Sequence, residues 1–247
     1  MEFKTFFNHG FYTEYTSDPA AEEGRIESVY DEIEPFSKII IKGEADPEDI
    51  LRVHDETHVA SVKDEGLYEI AAIAAGCTIE AAKTGINEPS FALVRPPGHH
   101  ASSGSSWGFC YFNNVAVAIE HLKFQKLIET AFVLDFDMHY GDGTENILGG
   151  KSYVSILNPA SSDRNSYMKE IKSVVSKVNA DIIAISAGFD NHVNDWGGLL
   201  YTEDYYEIGQ MVKANRKKGV FAALEGGYNH DVIGKNALAL MQGLCTD

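Results

Sequence analysis

Ten consecutive residues, Leu134-Asp135-Phe136-Asp137-Met138-His139-Tyr140-Gly141-Asp142-Gly143, carry groups from which a reaction centre could be built. Ala131, Phe132, Val133 and Leu134 read as a buried parallel strand. If the extended conformation continues, Asp135, Asp137 and His139 project from one side while Phe136 and Met138 pack on the other. Two carboxylates and an imidazole on one face are costly to desolvate. A divalent cation compensates their charge, and this mix of hard and borderline donors suits zinc. A lone Asp-x-His in a solvated loop would carry no such meaning.

Three other apolar runs end in the same manner. Phe91 to Val94 leads into Arg95-Pro96-Pro97-Gly98-His99-His100, Asp181 to Ile185 into Ser186-Ala187-Gly188-Phe189-Asp190, and Val220 to Leu224 into Glu225-Gly226-Gly227-Tyr228. In an open parallel sheet the carboxyl ends of the strands share one edge, where ligands bind. One cleft then collects His99, His100, Asp137, His139, Asp190 and Tyr228.

Asp137, His139 and Asp190 make three protein ligands and leave a fourth zinc position open, the mark of a catalytic rather than a structural site. A metal there acidifies its water and polarises a carbonyl. His99 and His100 follow a turn stiffened by Pro96 and Pro97, from which an imidazole can take a proton from that water and deliver it to a leaving amine. Asp135 and Asp142 are spare carboxylates, available to fix a histidine tautomer. Tyr228, on a Gly-Gly turn, is placed to donate to a developing oxyanion; taken alone it would read as a surface turn tyrosine.

The elements that must position these groups alternate. A strand at Phe3 to Phe7 precedes an acidic helix carrying Ile26, Val29, Tyr30 and Ile33, then a strand at Lys38 to Ile41 and helices near Pro47–Val53, Thr57–Lys63 and Tyr68–Lys83. Beyond Val94 the spacing predicts a helix from Asn114 to about Ile128, strands Ala131–Leu134 and Tyr153–Leu157, a helix Tyr167–Val178, strand Ile182–Ile185, helix Glu203–Lys217, strand Val220–Leu224 and a helix near Ile233–Leu244. Strands alternating with amphipathic helices give a single-domain α/β architecture over 1–247, an open parallel sheet with helices on both faces.

Composition narrows the class. The chain has 247 residues, 37 acidic against 20 basic, and a net charge of -17. That balance argues against nucleic-acid partners and suits a cationic ligand, although acidic surfaces also serve solubility alone. Cys77, Cys110 and Cys245 form neither a disulfide framework nor a thiolate zinc site. No signal segment or membrane span is apparent, so a cytoplasmic location is expected. Oligomeric state is not readable.

Together the segments Arg95 to Ala101, Trp107 to Ala116, Leu134 to Gly143, Ser186 to Asp190 and Leu224 to Asn229 resemble the histone deacetylase and acetylpolyamine amidohydrolase superfamily, in the expected order. Arg52-Val53-His54 and Arg25-Ile26 are weaker landmarks. The resemblance implies an arginase/deacetylase-like fold and zinc-dependent removal of acyl groups from amines such as acetyl-lysine or acetylated polyamines, with Fe2+ as the alternative metal. It assigns Asp137, His139 and Asp190 as ligands, His100 with Asp142 as general base and acid, His99 with Asp135 as electrostatic partner, and Tyr228 as the group polarising the carbonyl. Gly108, Phe109 and Gly227 become substrate contacts, with the Gly108 carbonyl facing the scissile N–H. Asp135 and Ser155 resemble a structural K+ site, and Arg25 the arginine behind the metal that helps acetate leave.

Two departures bear on substrate. Tyr140 stands where many relatives carry a second histidine, and a short segment, Asn158-Pro159-Ala160-Ser161-Ser162, replaces the rim loop that normally supplies a second aromatic wall. A shallow, open pocket for a small acylated amine is therefore expected. The competing readings are a non-catalytic acyl-amine binding protein on the same scaffold and a two-metal ureohydrolase, the latter disfavoured by Gly141 where a second-metal aspartate would stand.

Overall fold

The motif-bearing runs become four adjacent strands at the centre of one parallel sheet. The computed structural model describes residues 3–245. Its strands are β1 (Phe3–Phe7), β2 (Ser37–Ile41), β3 (Ser90–Ala92), β4 (Ala131–Asp135), β5 (Val154–Leu157), β6 (Ile182–Ala187) and β7 (Gly219–Leu224), in the spatial order β2-β1-β3-β7-β6-β4-β5. Every pairing is parallel. Thus β3, β7, β6 and β4, which lead into the His-His, Glu-Gly-Gly-Tyr, Gly-Phe-Asp and Asp-x-His segments, lie side by side.

All residues of these four strands are buried, whereas the edge strands β2 and β5 are partly exposed. Burial on both faces requires helices on both faces, and it explains the unbroken apolar runs that replace polar alternation. The helices are α1 (Arg25–Ile33), α2 (Pro47–Leu51), α3 (Glu56–Asp64), α4 (Tyr68–Gly85), α5 (Asn114–Phe124), α6 (Asp142–Leu148), α7 (Arg164–Val175), α8 (Thr202–Asn215) and α9 (Ile233–Cys245). Several begin on side-chain caps: Asn113 accepts from the Ala116 N–H, and Asp163 from the Ser166 N–H. The Asp163 cap starts α7 three residues before Tyr167, the start expected from hydrophobic spacing.

Two expectations fail near the site. The strand after Ala131 ends at Asp135, and Asp137–His139 forms a bend; Phe136 is buried as expected, but Met138 is exposed. The Met138 N–H donates to Asp190 Oδ1 and the His139 N–H to Asp137 Oδ1, so side-chain carboxylates, not a neighbouring strand, take up these donors. The second difference is α6, a short helix inside a segment without apolar periodicity. Among the described residues no helix is long and apolar enough to cross a membrane.

Candidate active site

The bend after β4 folds His139 back over Asp137. His139 Nδ1 lies 3.1 Å from Asp137 Oδ1 and 3.0 Å from Asp190 Oδ2, and one donor atom from each of the three residues falls within 4.8 Å of the others. Asp137 and Asp190 are buried, and Asp190 Oδ2 has no hydrogen-bond partner. Burial first, then the Asp137 charge, pushes the Asp190 carboxyl up to about 7, while the carboxylates Asp137 and Asp190 hold the His139 imidazole up at about 10. A concentration of negative charge around one point is what a divalent cation relieves. Gly226 keeps that point clear: a Cβ there would stand 2.6 Å from Asp137 Oδ2 and 2.8 Å from Asp190 Oδ2. Two carboxylates and an imidazole with an open side therefore fit a zinc-type ion.

The neighbouring histidines acquire different partners. His99 Nδ1 is 3.1 Å from Asp135 Oδ2 and its Nε2 is 3.8 Å from Asp137 Oδ2, all in the interior. Burial opposes a charge on His99, yet Asp137 and Asp135 outweigh it and hold the imidazole well above its ordinary value. His100 Nδ1 is 2.6 Å from Asp142 Oδ1. Burial, reinforced by charged His99, lowers His100 to about 4 against the pull of Asp142. The two imidazoles are thus driven apart, His100 toward its neutral form and His99 toward its charged one.

The turn carrying both histidines is anchored by a residue that spacing alone did not single out. Glu225, at the end of β7, accepts the Gly98 N–H at 2.6 Å and the His99 N–H at 3.1 Å. His54 is a second hidden support: burial lowers it to about 4, so the neutral ring pairs Nδ1 with the Ser102 carbonyl while Nε2 accepts the Asn113 N–H. Asn113 in turn donates to the Ala101 carbonyl and Thr144 Oγ1, joining the histidine turn to α6. Asn113, in the segment before α5, offered no chemical signal of its own.

A cavity of about 130 Å³ lies over these groups, lined by Pro97, His99, His100, Trp107, Gly108, Phe109, His139, Trp196, Gly226 and Tyr228. Gly108 has φ +59°, and a Cβ on it would stand 2.5 Å from His100 Cδ2, so glycine is required both for the turn and for the approach to the base. The Tyr228 ring stacks on Trp196 at 3.9 Å and 22°, with Phe109 edge-on at 6.0 Å. Burial, then Asp137, raises the Tyr228 phenol far above its ordinary value, so it remains a donor. Arg25 lies behind this wall, fully buried, donating to the Gly227 and Glu225 carbonyls at 2.7 and 2.6 Å with its guanidinium 5.4 Å from the Tyr228 ring centre.

Two expectations need correction. Gly227 does not line the cavity; Gly226 does, while Gly227 turns its carbonyl to Arg25. Ser155 is exposed and pairs with Phe132, three residues short of Asp135, a separation of about 10 Å along a strand. It is Asn158 whose Oδ1 accepts the Gly141 N–H beside the Asp135 carboxylate, so Ser155 drops out of any potassium ligand set. No residue of the short 158–162 segment is among those lining the cavity, whereas Trp196, from the loop between β6 and α8, is. Trp107 and Trp196 are the chain's two tryptophans, both exposed at the cavity mouth, and nothing in residue spacing announced them.

The fold and the sequence both have known counterparts. The chain superposes on the crystal structure of the HDA15 HD domain with a TM-score of 0.86 at 22% identity, covering 99% of this chain and 90% of that one. A probable deacetylase of Archaeoglobus fulgidus is 32% identical over 87% of this chain and 74% of its own length, and one of Methanothermobacter thermautotrophicus 30% identical over 84% and 79%. Histone deacetylase HDA1 of Candida albicans is 30% identical over 86% of this chain and 34% of its own length. The family model for the histone deacetylase domain matches residues 20–167 and 148–244. The chain belongs to the histone deacetylase family.

Proposed function

We propose that this protein is a zinc-dependent deacetylase, with Fe2+ as the alternative metal, that hydrolyses the amide of a small acylated amine to free amine and acetate. The observation that carries the reading is the convergence, around one small cavity, of three ligand-type side chains, two His–Asp pairs and a half-buried tyrosine. Asp137, His139 and Asp190 would hold the ion, which supplies Lewis acidity to the acyl carbonyl and lowers the pKa of water.

Neutral His100 takes the proton of the attacking water through Nε2, since Nδ1 is engaged by Asp142, and returns it to the amine nitrogen as the C–N bond breaks. His99, charged and fixed by Asp135, contributes a positive field beside the forming oxyanion without moving a proton. The Tyr228 hydroxyl donates to that oxyanion, and the Gly108 carbonyl is available to the scissile N–H. Trp107, Phe109 and Trp196 exclude water and bracket the alkyl arm of the substrate. The acidic surface favours a cationic amine.

A two-metal ureohydrolase is a poor fit. Among the described residues the other cluster of ligand-type groups is His99, Cys110 and Glu225, which is fully buried and spends Glu225 on the Gly98 and His99 amides. The deciding experiment measures acetate release from acetylated lysines, polyamines and amino sugars by zinc- or iron-loaded protein. No turnover of any of them by a fully loaded, folded protein would instead favour the acyl-amine binding role.

A further inference from the structure

The two His–Asp pairs are not built alike. The Asp135 side chain is fully buried, and its oxygens take the His99 imidazole and the Asp137 N–H, so packing alone fixes it. The Asp142 side chain is 43% exposed. An exposed carboxylate rotates and exchanges its partners with water, which is a poor anchor for a proton-transferring imidazole. Yet Asp142 Oδ1 holds His100 at 2.6 Å, and the second oxygen is held by Trp107, whose indole Nε1 donates to Asp142 Oδ2 at 2.9 Å. The same indole lies tilted against the imidazole it helps to hold, with ring centres 3.9 Å apart and 33° between planes. Trp107, Asp142 and His100 therefore close a three-membered ring of contacts on the solvent side of the base.

We propose that Trp107 is a positioning residue for the His100–Asp142 pair, replacing at an exposed carboxylate the constraint that burial gives Asp135; the proposal rests on the deacetylase reading above. Its chemistry is specific to indole. Phenylalanine keeps the flat face but not the N–H, and a small residue keeps neither. The N–H also withdraws charge from Asp142: burial acts upward on that carboxyl, but hydrogen bonds from His100 and Trp107 outweigh it and hold the group below its ordinary value.

Kinetics separates positioning from a plain wall. Trp107→Phe, which keeps the flat wall but not the N–H, should lower kcat roughly 10-fold with KM within about twofold, and Trp107→Ala should lower kcat roughly 100-fold. An unchanged kcat in Trp107→Phe, with any effect confined to KM, would show that Trp107 only lines the cavity and overturn the proposal. A second measurement needs neither metal nor turnover. The chain has two tryptophans, so ¹⁵N-labelled protein gives two indole N–H signals, assigned by Trp107→Phe and Trp196→Phe. The Trp107 signal should exchange slowly with solvent and shift in Asp142→Asn, with Trp196, similarly exposed, as the internal reference. Rapid exchange and indifference to Asp142→Asn would refute the clamp. Failure of wild-type protein to release acetate would remove the deacetylase reading while leaving this measurement to judge the contact.

Discussion

His100→Ala separates base from ligand, because the two roles predict different things to vanish. The ring bonds Asp142 at 2.6 Å, it is 3% exposed, and its centre lies 5.9 Å from that of His139, outside the set of three donors that face one point. Its removal should abolish proton transfer, a step commonly worth about 10²- to 10⁴-fold, or about 2.7–5.4 kcal/mol of barrier. Metal content should remain at about one ion per chain, since Asp137, His139 and Asp190 are untouched. The vacated space lies between the rings of His99 and Trp107, each about 4 Å from His100, so some loss of melting temperature accompanies the change and the assay must run well below it. Acetate release, elemental analysis and a thermal melt on one preparation give the answer. Loss of the metal together with activity would mean that a ligand has been mistaken for a base.

Asp190→Ala should behave in the opposite way, losing metal and activity together; a variant retaining both by elemental analysis and acetate release would remove Asp190 from the ligand set. Since the neutral form of His100 is the active one and its protonation is displaced down to about 4, kcat/KM should hold through mildly acidic pH and fall only as the pH drops through that value. An acid limb near 6.5 would show that neither burial nor a charged His99 depresses this imidazole. Acetylputrescine and free N-ε-acetyl-lysine should be turned over at least as well as an acetyl-lysine peptide, and a hundredfold peptide preference, about 2.7 kcal/mol, would contradict the small-amine reading. Trp196→Ala should raise KM for the longer alkyl arms by roughly fourfold per methylene pushed into water, at about 0.8 kcal/mol each, and an unchanged KM would show that the arm passes elsewhere.

What was legible in the sequence is what local patterning encodes. Val133 and Leu134, or Ala222 and Ala223, have no polar alternation because both sheet faces are covered, and each such run points to a strand whose end must carry the chemistry. Pairing register is not local. The resemblance pairs Ser155 with Asp135, whereas β5 sets Ser155 against Phe132, and only the ladder reveals that Asn158 reaches Gly141 beside the carboxylate. The bend at Asp137–His139 is hidden for a related reason: the Asp137 and Asp190 carboxylates accept the backbone donors, so an alternating segment does not have to remain a strand. Glu225, Trp107 and Trp196 were overlooked as individuals because their partners are distant in the chain; the Gly98 amide that Glu225 accepts lies on a different strand end.

The adjacent pair His99-His100 shows why identical residues in sequence are not interchangeable in a site. Chain direction at the turn sends His99 inward to Asp135 and within 3.8 Å of Asp137, where no water competes, and it keeps a proton that burial alone would remove. His100 points toward the cavity, meets a single half-exposed carboxylate, and has the His99 imidazole 4.0 Å away on one side. Like charges at that distance cannot both persist in a partly dry site, so the proton leaves the member with the weaker anion field. The cation that remains cannot act as a base, and the base that results cannot act as a fixed cation. Division of labour between the two therefore follows from which carboxylate each one reaches. Exchanging Asp135 for Asn should blur it, by letting His99 lose its proton and His100 recover a more ordinary one.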